Sequence, residues 1–211
     1  MSFSKTSVEL MEYFLKNFDK YSKKITSKDQ ESMDKIFKQF WWDIKLSDSL
    51  IERYDNQDML KKKLINEKKY SELFESKFVP STIKSYTERN MKSYLIVKTV
   101  LCSVEVEVIY ALFKKSEINN LKKVENRIKK TLRILRFLLF YVGTNNKVKK
   151  ITINLYLTNI KKTLPRNQIK TLNEENCNSA LTYACAEEGE VLIFREEEWK
   201  KVLIHELFHS L

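Results

Sequence analysis

The chain has 211 residues, 43% of them hydrophobic, and a formal net charge of +11. That length and apolar content suffice for one large domain or two small ones and exclude wholesale disorder. No apolar run approaches the roughly 20 residues that cross a bilayer, residues 1–13 do not read as a secretory signal, and Cys102, Cys177 and Cys185 are too few for a disulfide framework, so an intracellular location with no membrane partner is expected.

The first part reads helical. Met11, Phe14, Leu15, Phe18 and Tyr21 recur at helical spacing. Met33, Ile36, Phe37, Phe40, Trp41 and Ile44 form a second stripe, opened by a capping box of Ser27 and Gln30. A third helix is expected from Ser47 or Ser49, with Leu50, Ile51, Tyr54, Leu60 and Leu64 as its apolar positions. Stripes of this kind are expected to form a helical core. Val79-Pro80-Ser81 breaks the pattern, because Pro80 disfavours helix in the residue before it. Residues 1–90 are therefore assigned to an N-terminal helical region.

The texture then changes. Val104, Val106, Val108 and Tyr110 alternate with Glu105, Glu107 and Ile109 at a strand period of two, beside a strand expected over Leu95–Leu101. A long helix follows, with Leu121, Val124, Ile128, Leu132, Leu135 and Leu139 on its buried face and Gly143 as its stop. Ile151, Ile153, Leu155 and Leu157 mark another strand, and residues 161–178 read as a loop. Residues 181–186 and 190–194 read as a hairpin turning at Gly189. Glu196, Glu197 and Glu198 are expected in the first turn of a final helix, near the positive end of its dipole. The expected fold class is α+β, with a mixed sheet, a long packing helix and a C-terminal helix over residues 91–211.

Charge is uneven along the chain. From Lys170 onward four basic residues face nine acidic ones, a balance of −5, which leaves +16 on the first 169 residues. Thirty-two of the 39 basic residues are Lys, which supplies point charges rather than the forked guanidinium of specific phosphate recognition. The basic body reads as a solvated lysine surface, and a nucleic-acid partner is not favoured.

The chemistry-bearing motif is His205-Glu206-Leu207-Phe208-His209, an H-E-x-x-H that holds the chain's only two histidines. Residues i and i+4 lie one turn apart on one helix face, so His205 and His209 can ligate a single zinc ion with Glu206 beside them as general base. Periodicity puts both histidines on the face of Glu198 and Val202, while Trp199, Leu203 and Leu207 hold the helix to the body. Other candidates read blandly. Cys177 and Cys185 lack C-x-x-C spacing and read as free thiols, and Glu187, Glu188 and Glu190 read as solvated residues around a turn. No third ligand is evident upstream, so one is expected beyond Leu211.

The segment from Ile151 to Leu211 resembles the zinc metalloproteinases of large nucleocytoplasmic DNA viruses. The matching pieces are the strand ending at Thr158, Lys161-Lys162-Thr163-Leu164-Pro165, Asn178-Ser179, Thr182 and Cys185, then Ile193-Phe194-Arg195, Glu197-Glu198-Trp199 and Val202-Leu203-Ile204 running into the motif. Ala180 replaces a Gly expected after Asn178-Ser179, and such proteins continue past the second histidine, with a Gly soon after it. The resemblance implies a zincin-like peptidase of viral origin, in the host cytoplasm or the virion, with Zn2+ as cofactor and a peptide or protein as substrate.

The leading expectation is zinc-dependent peptide hydrolysis: His205 and His209 hold the metal, Glu206 moves the proton, and the 181–186/190–194 hairpin offers an edge strand to an extended substrate. The isolated 211 residues are expected to be an inactive fragment. The competing expectation is a non-catalytic viral binding or structural protein that acts through its basic helical region.

Overall fold

The alternating runs pair into one six-stranded mixed sheet with helical segments packed against it, an α+β fold. The computed structural model describes residues 27–67, 70–143, 147–163, 172–183 and 186–211. The elements in chain order are α1 (Ser27–Asn56), β1 (Lys61–Ile65), a 3-10 turn (Glu72–Glu75), α2 (Ser81–Asn90), β2 (Ser93–Leu101), β3 (Val104–Leu112), α3 (Lys115–Asn119), α4 (Lys122–Val142), β4 (Lys150–Thr158), α5 (Glu174–Cys177), β5 (Ala180–Thr182), β6 (Glu188–Arg195) and α6 (Trp199–Ser210). Strand order is β1-β2-β3-β4-β6-β5. The β1/β2, β2/β3 and β5/β6 pairs are antiparallel, and β3/β4 and β4/β6 are parallel.

Period-two alternation decides which side chains meet which layer. Val106, Val108, Ile151, Ile153, Leu155, Val191 and Ile193 form one buried face, covered by Val124, Ile128, Leu132, Leu135 and Leu139 of α4 and by Leu203 and Leu207 of α6. Leu192, Phe194, Tyr156 and Ala111 point the other way, onto Leu73, Phe74, Ile83 and Met91. β4 is central and covered on both sides, so Asn154, Tyr156 and Thr158 are buried along with its aliphatic row. The β2–β3 hairpin turns at Cys102 and Ser103, both at positive φ (49° and 66°), as a two-residue primed turn requires. α4 ends at Gly143, whose φ of 62° opens the left-handed half of conformational space.

Several expectations are corrected. The second and third helices are one continuous helix, α1, because nothing between Ile44 and Ser49 breaks it. Leu60 and Leu64 leave the helix, and Leu64 belongs to β1, which alternation did not reveal in its Lys-Lys-Lys-Leu-Ile sequence. Pro80 breaks the chain only to cap α2. The division between the two compact units falls between Lys45 and Leu46 rather than at residue 90, since β1 is hydrogen-bonded to β2. In the first unit, Met33, Ile36, Phe37, Trp41 and Ile44 stay exposed rather than forming a core. The stripe from Met11 to Tyr21 lies outside the described residues. No helix among the described residues is long and apolar enough to cross a membrane.

Residues 48–55 of α1 are tied to α4 by ions. Asp55 accepts from Lys62 (2.6 Å) and Lys129 (2.7 Å), Lys129 also reaches Glu52 (3.1 Å), and Arg133 pairs with Glu52. Hydrogen bonds from Lys129 and then Lys62 hold the Asp55 carboxyl below its ordinary value of 3.8. A carboxyl depressed in the folded state contributes stability above the unfolded pKa and loses it as pH falls through the folded one. Asp55→Asn is therefore expected to cost about 1–3 kcal/mol at pH 7. The gap to the parent should close below pH 4 in urea titrations, and a pH-independent gap would contradict the assignment.

Arg195, at the end of β6, is fully buried. Its Nε donates to the Asn178 carbonyl (2.9 Å), Nη1 to Ile160 (3.2 Å) and Nη2 to Glu175 (2.8 Å). Burial pushes its pKa down, while Glu175 and Glu197 hold it up. Arg195→Met leaves three carbonyls without their donor and is expected to destabilise the fold by on the order of 3–5 kcal/mol. Arg195→Lys should recover less than half of that loss in the same denaturation experiment, because one ammonium cannot span three segments.

Candidate metal centre

α6 is held down by one stripe. Trp199, Leu203, Leu207 and Ser210 are buried at spacings of four, four and three, the repeat of a helix lying on a flat core. The turn that introduces it differs from expectation: none of the three glutamates enters the first helical turn. Glu196 pairs with Arg127, and Glu197 accepts the Lys162 amide at 2.8 Å. Glu198 caps the helix in the left-handed region at φ 58°. The early glutamates are consumed in fixing the chain's entry angle rather than in complementing a dipole.

With the stripe inward, His205 and His209 face out. Their Nε2 atoms converge to 3.2 Å, with the rings nearly perpendicular (82°) and 4.7 Å between centroids. Zinc–imidazole bonds of about 2.0–2.1 Å at a tetrahedral angle place two ligand nitrogens about 3.3–3.4 Å apart. The pair therefore fits one zinc ion. Glu206, between them, is half-buried, and burial pushes its carboxyl above the ordinary value against the pull of His205 and His209. A carboxylate with a raised pKa is the stronger base. Among the described residues no third His, Cys, Asp or Glu completes a metal-holding group with the histidines.

A cleft of about 500 Å³ opens beside the motif, with His205 and Glu206 on one wall and Asn178, Ser179 and Ala180 on the other. That second wall is the approach to β5, the outermost strand. The Phe194 amide donates to the Ser179 carbonyl (3.0 Å) and the Tyr183 amide to Glu190 (3.2 Å). In this register the backbone of Leu181 faces β6, and that of Ala180 and Thr182 faces away from the sheet.

Sequence reasoning missed what joins strand to helix. Thr182 Oγ1 and Ser210 Oγ lie 2.7 Å apart, and Thr182 Oγ1 is 2.8 Å from the Glu190 carbonyl. Ser210 Oγ also lies 3.1 Å from the Glu206 carbonyl, so the two hydroxyls link the Glu190 and Glu206 carbonyls, and either can donate to the other. The signal for Ser210 was present: it continues the Trp199–Leu203–Leu207 stripe. Gly189 was misassigned as a turn. It lies inside β6, where an added Cβ would meet Ile151 at 3.6 Å and Ser210 at 3.8 Å, so it lies beneath the last turn of α6. Glu190 was misread as solvated: it is half-buried and accepts from Ser71 and Asn154, whereas Glu187 and Glu188 do pair with surface lysines. Cys177 is an exposed free thiol at the cleft, and Cys185 lies outside the described residues.

Comparison with known proteins returns nothing: no family model, no curated protein and no solved structure matches this chain.

Thr182→Val removes the hydroxyl that Ser210 bonds while keeping the side chain's shape. It is expected to weaken Co(II) or Zn(II) affinity about two- to tenfold by loosening the turn that carries His209. Thr182→Ser should restore it, as followed by the visible absorbance of a cobalt titration; equal affinity in the valine variant would separate the strand from the metal helix.

Proposed function

We propose that this chain is a zincin-like zinc metallopeptidase of the kind it resembles in large nucleocytoplasmic DNA viruses, hydrolysing peptide bonds in a protein or peptide substrate. The observation that carries the reading is the 3.2 Å convergence of the His205 and His209 Nε2 atoms beside a half-buried Glu206. The chemistry a bound zinc ion supplies there is Lewis acidity, which lowers the pKa of water to about 7 and polarises a carbonyl.

The protein's own groups do the rest. His205 and His209 would hold the ion through Nε2. Glu206 takes the proton of the attacking water and returns it to the leaving amine nitrogen. Half-burial limits competing solvent around that carboxylate and supports its role as base. The two sheet edges differ in a way that favours one docking side. β1 carries Lys61, Lys62 and Lys63, the charged guard of an edge not meant to pair, whereas β5 (Ala180–Thr182) carries no charge and borders the cleft. An extended substrate adding to β5 would bond the outward backbone of Ala180 and Thr182 and pass alongside Glu206.

The competing reading, a non-catalytic binding protein, draws on the exposed Met33, Ile36, Phe37, Trp41 and Ile44 of α1. Its function would survive replacement of both histidines.

Glu206→Gln in the full gene product separates the two readings. Zinc content should be unchanged and hydrolysis of an unfolded protein substrate should fall by about 10²–10⁴-fold. Undiminished hydrolysis in that variant would remove Glu206 from the mechanism, and failure of the parent to retain zinc would remove the reading itself.

A further inference from the structure

On the sheet face opposite α6, the 3-10 turn and α2 cover only part of the strands. The uncovered part is a trough of about 470 Å³ between Tyr94, Ile109, Asn154 and Glu190. Glu107, Thr152 and Glu190 stand in one row across it over three neighbouring strands, with Lys98 next in register on β2. Charges at the rim neutralise one another: Lys98 pairs with Glu107 (3.3 Å) and Lys150 with Glu188 (3.4 Å). Glu190 has no cationic partner among the described residues.

Glu190 is also held in one orientation. Its Oε1 accepts both from Ser71 Oγ (2.7 Å) and from Asn154 Nδ2 (2.8 Å), and no described residue donates to Oε2. A second observation is independent of the carboxylate. Tyr94 is 6% exposed and lines the trough, yet its hydroxyl has no hydrogen-bond partner among the described residues. Burial, and then Glu67 and Glu107, push that hydroxyl's pKa up, so it stays neutral, and its oxygen can accept from a cationic head. The hydroxyl meets solvent where it opens onto the trough, so a bound polar group there would replace water on it.

We propose that this trough is a binding site for a small organic cation, an alkylguanidinium or alkylammonium group, whose charged head lies on Glu190 Oε2 and whose alkyl chain lies along Tyr94 and Ile109. The fixed carboxylate supplies a charge-assisted hydrogen bond, the tyrosine face a cation–π surface, and the apolar wall a place for methylenes. Glu72 at the rim adds negative charge and favours the same sign of ligand. The head could belong to a free amine or to an arginine or lysine side chain of a peptide.

The test titrates the full chain with agmatine, with N-acetyl-arginine amide and with a neutral alcohol of similar length, following amide chemical shifts. Saturable binding of either cation, and none of the alcohol, is expected at the residues around Glu190. Tighter agmatine assigns the site to free amines, and tighter N-acetyl-arginine amide assigns it to a peptide side chain. Glu190→Gln keeps an oxygen for Ser71 and Asn154 but loses the charge, and should weaken binding by at least about tenfold. Thr152→Arg, which tethers a guanidinium in the trough, should abolish binding and serves where the glutamine variant does not fold. His205→Ala should leave binding unchanged. No saturable binding at tens of millimolar, equal binding by Glu190→Gln, or binding that persists in Thr152→Arg would each overturn the proposal.

Discussion

The buried guanidinium of Arg195 is the constraint around which the cleft is built. Its three bonds end on carbonyls, not carboxylates, from three segments that have no ladder of their own: the strand exit at Ile160, the short α5 at Glu175, and Asn178 just before β5. Each carbonyl, on a half-buried residue, would otherwise lack this donor. Glu175 uses its side chain elsewhere, on Thr82 and Ser81, so the segment is held from both sides. The outer wall of the cleft therefore depends on one side chain that never touches the cleft.

A second set of bonds fixes the inner wall. The Thr182 hydroxyl of β5 lies 2.8 Å from the Glu190 carbonyl of β6 and 2.7 Å from the Ser210 hydroxyl of α6. Gly189, next to Glu190, lies beneath that last helical turn, in ordinary contact range of Ser210. β5 and the helix carrying the histidines are thus referenced to the same two residues of the sheet. The Glu190 side chain, on the other face, is fixed independently by Ser71 and Asn154. One residue therefore serves both faces, its carbonyl on the helix side and its carboxylate in the trough.

Much of this was legible in the sequence, and what was not has physical causes. β2, β3, α4 and β4 followed from alternation and helical spacing because each has one strongly apolar face, and the H-E-x-x-H geometry followed because a helix puts i and i+4 together. β1 was hidden because an edge strand guarded by lysines carries no apolar alternation. Gly189 and Glu190 were misread because local turn chemistry is ambiguous, and only the pairing of β6 with β4 places them inside a strand. Arg195 gave no local signal at all: its partners are carbonyls 17, 20 and 35 residues away in sequence. The stripe from Met33 to Ile44 shows the converse, since helical periodicity specifies a face but not what, if anything, covers it.

The placement of Glu206 follows from the same helix geometry. Leu203, Leu207 and Ser210 define the buried side of α6, and His205 and His209 the open side. A residue one position after the first histidine falls on the boundary between the two, where it is neither sequestered nor fully hydrated. Burial there raises the carboxyl's proton affinity, and the two imidazoles oppose the rise without cancelling it. The proposed role as a base would use both properties: enough desolvation to bind a proton and enough exposure to reach the water that supplies it. The five-residue spacing delivers them only because the buried stripe is anchored at Trp199 and Ser210. Sequence motif and helix docking are, in that sense, a single requirement.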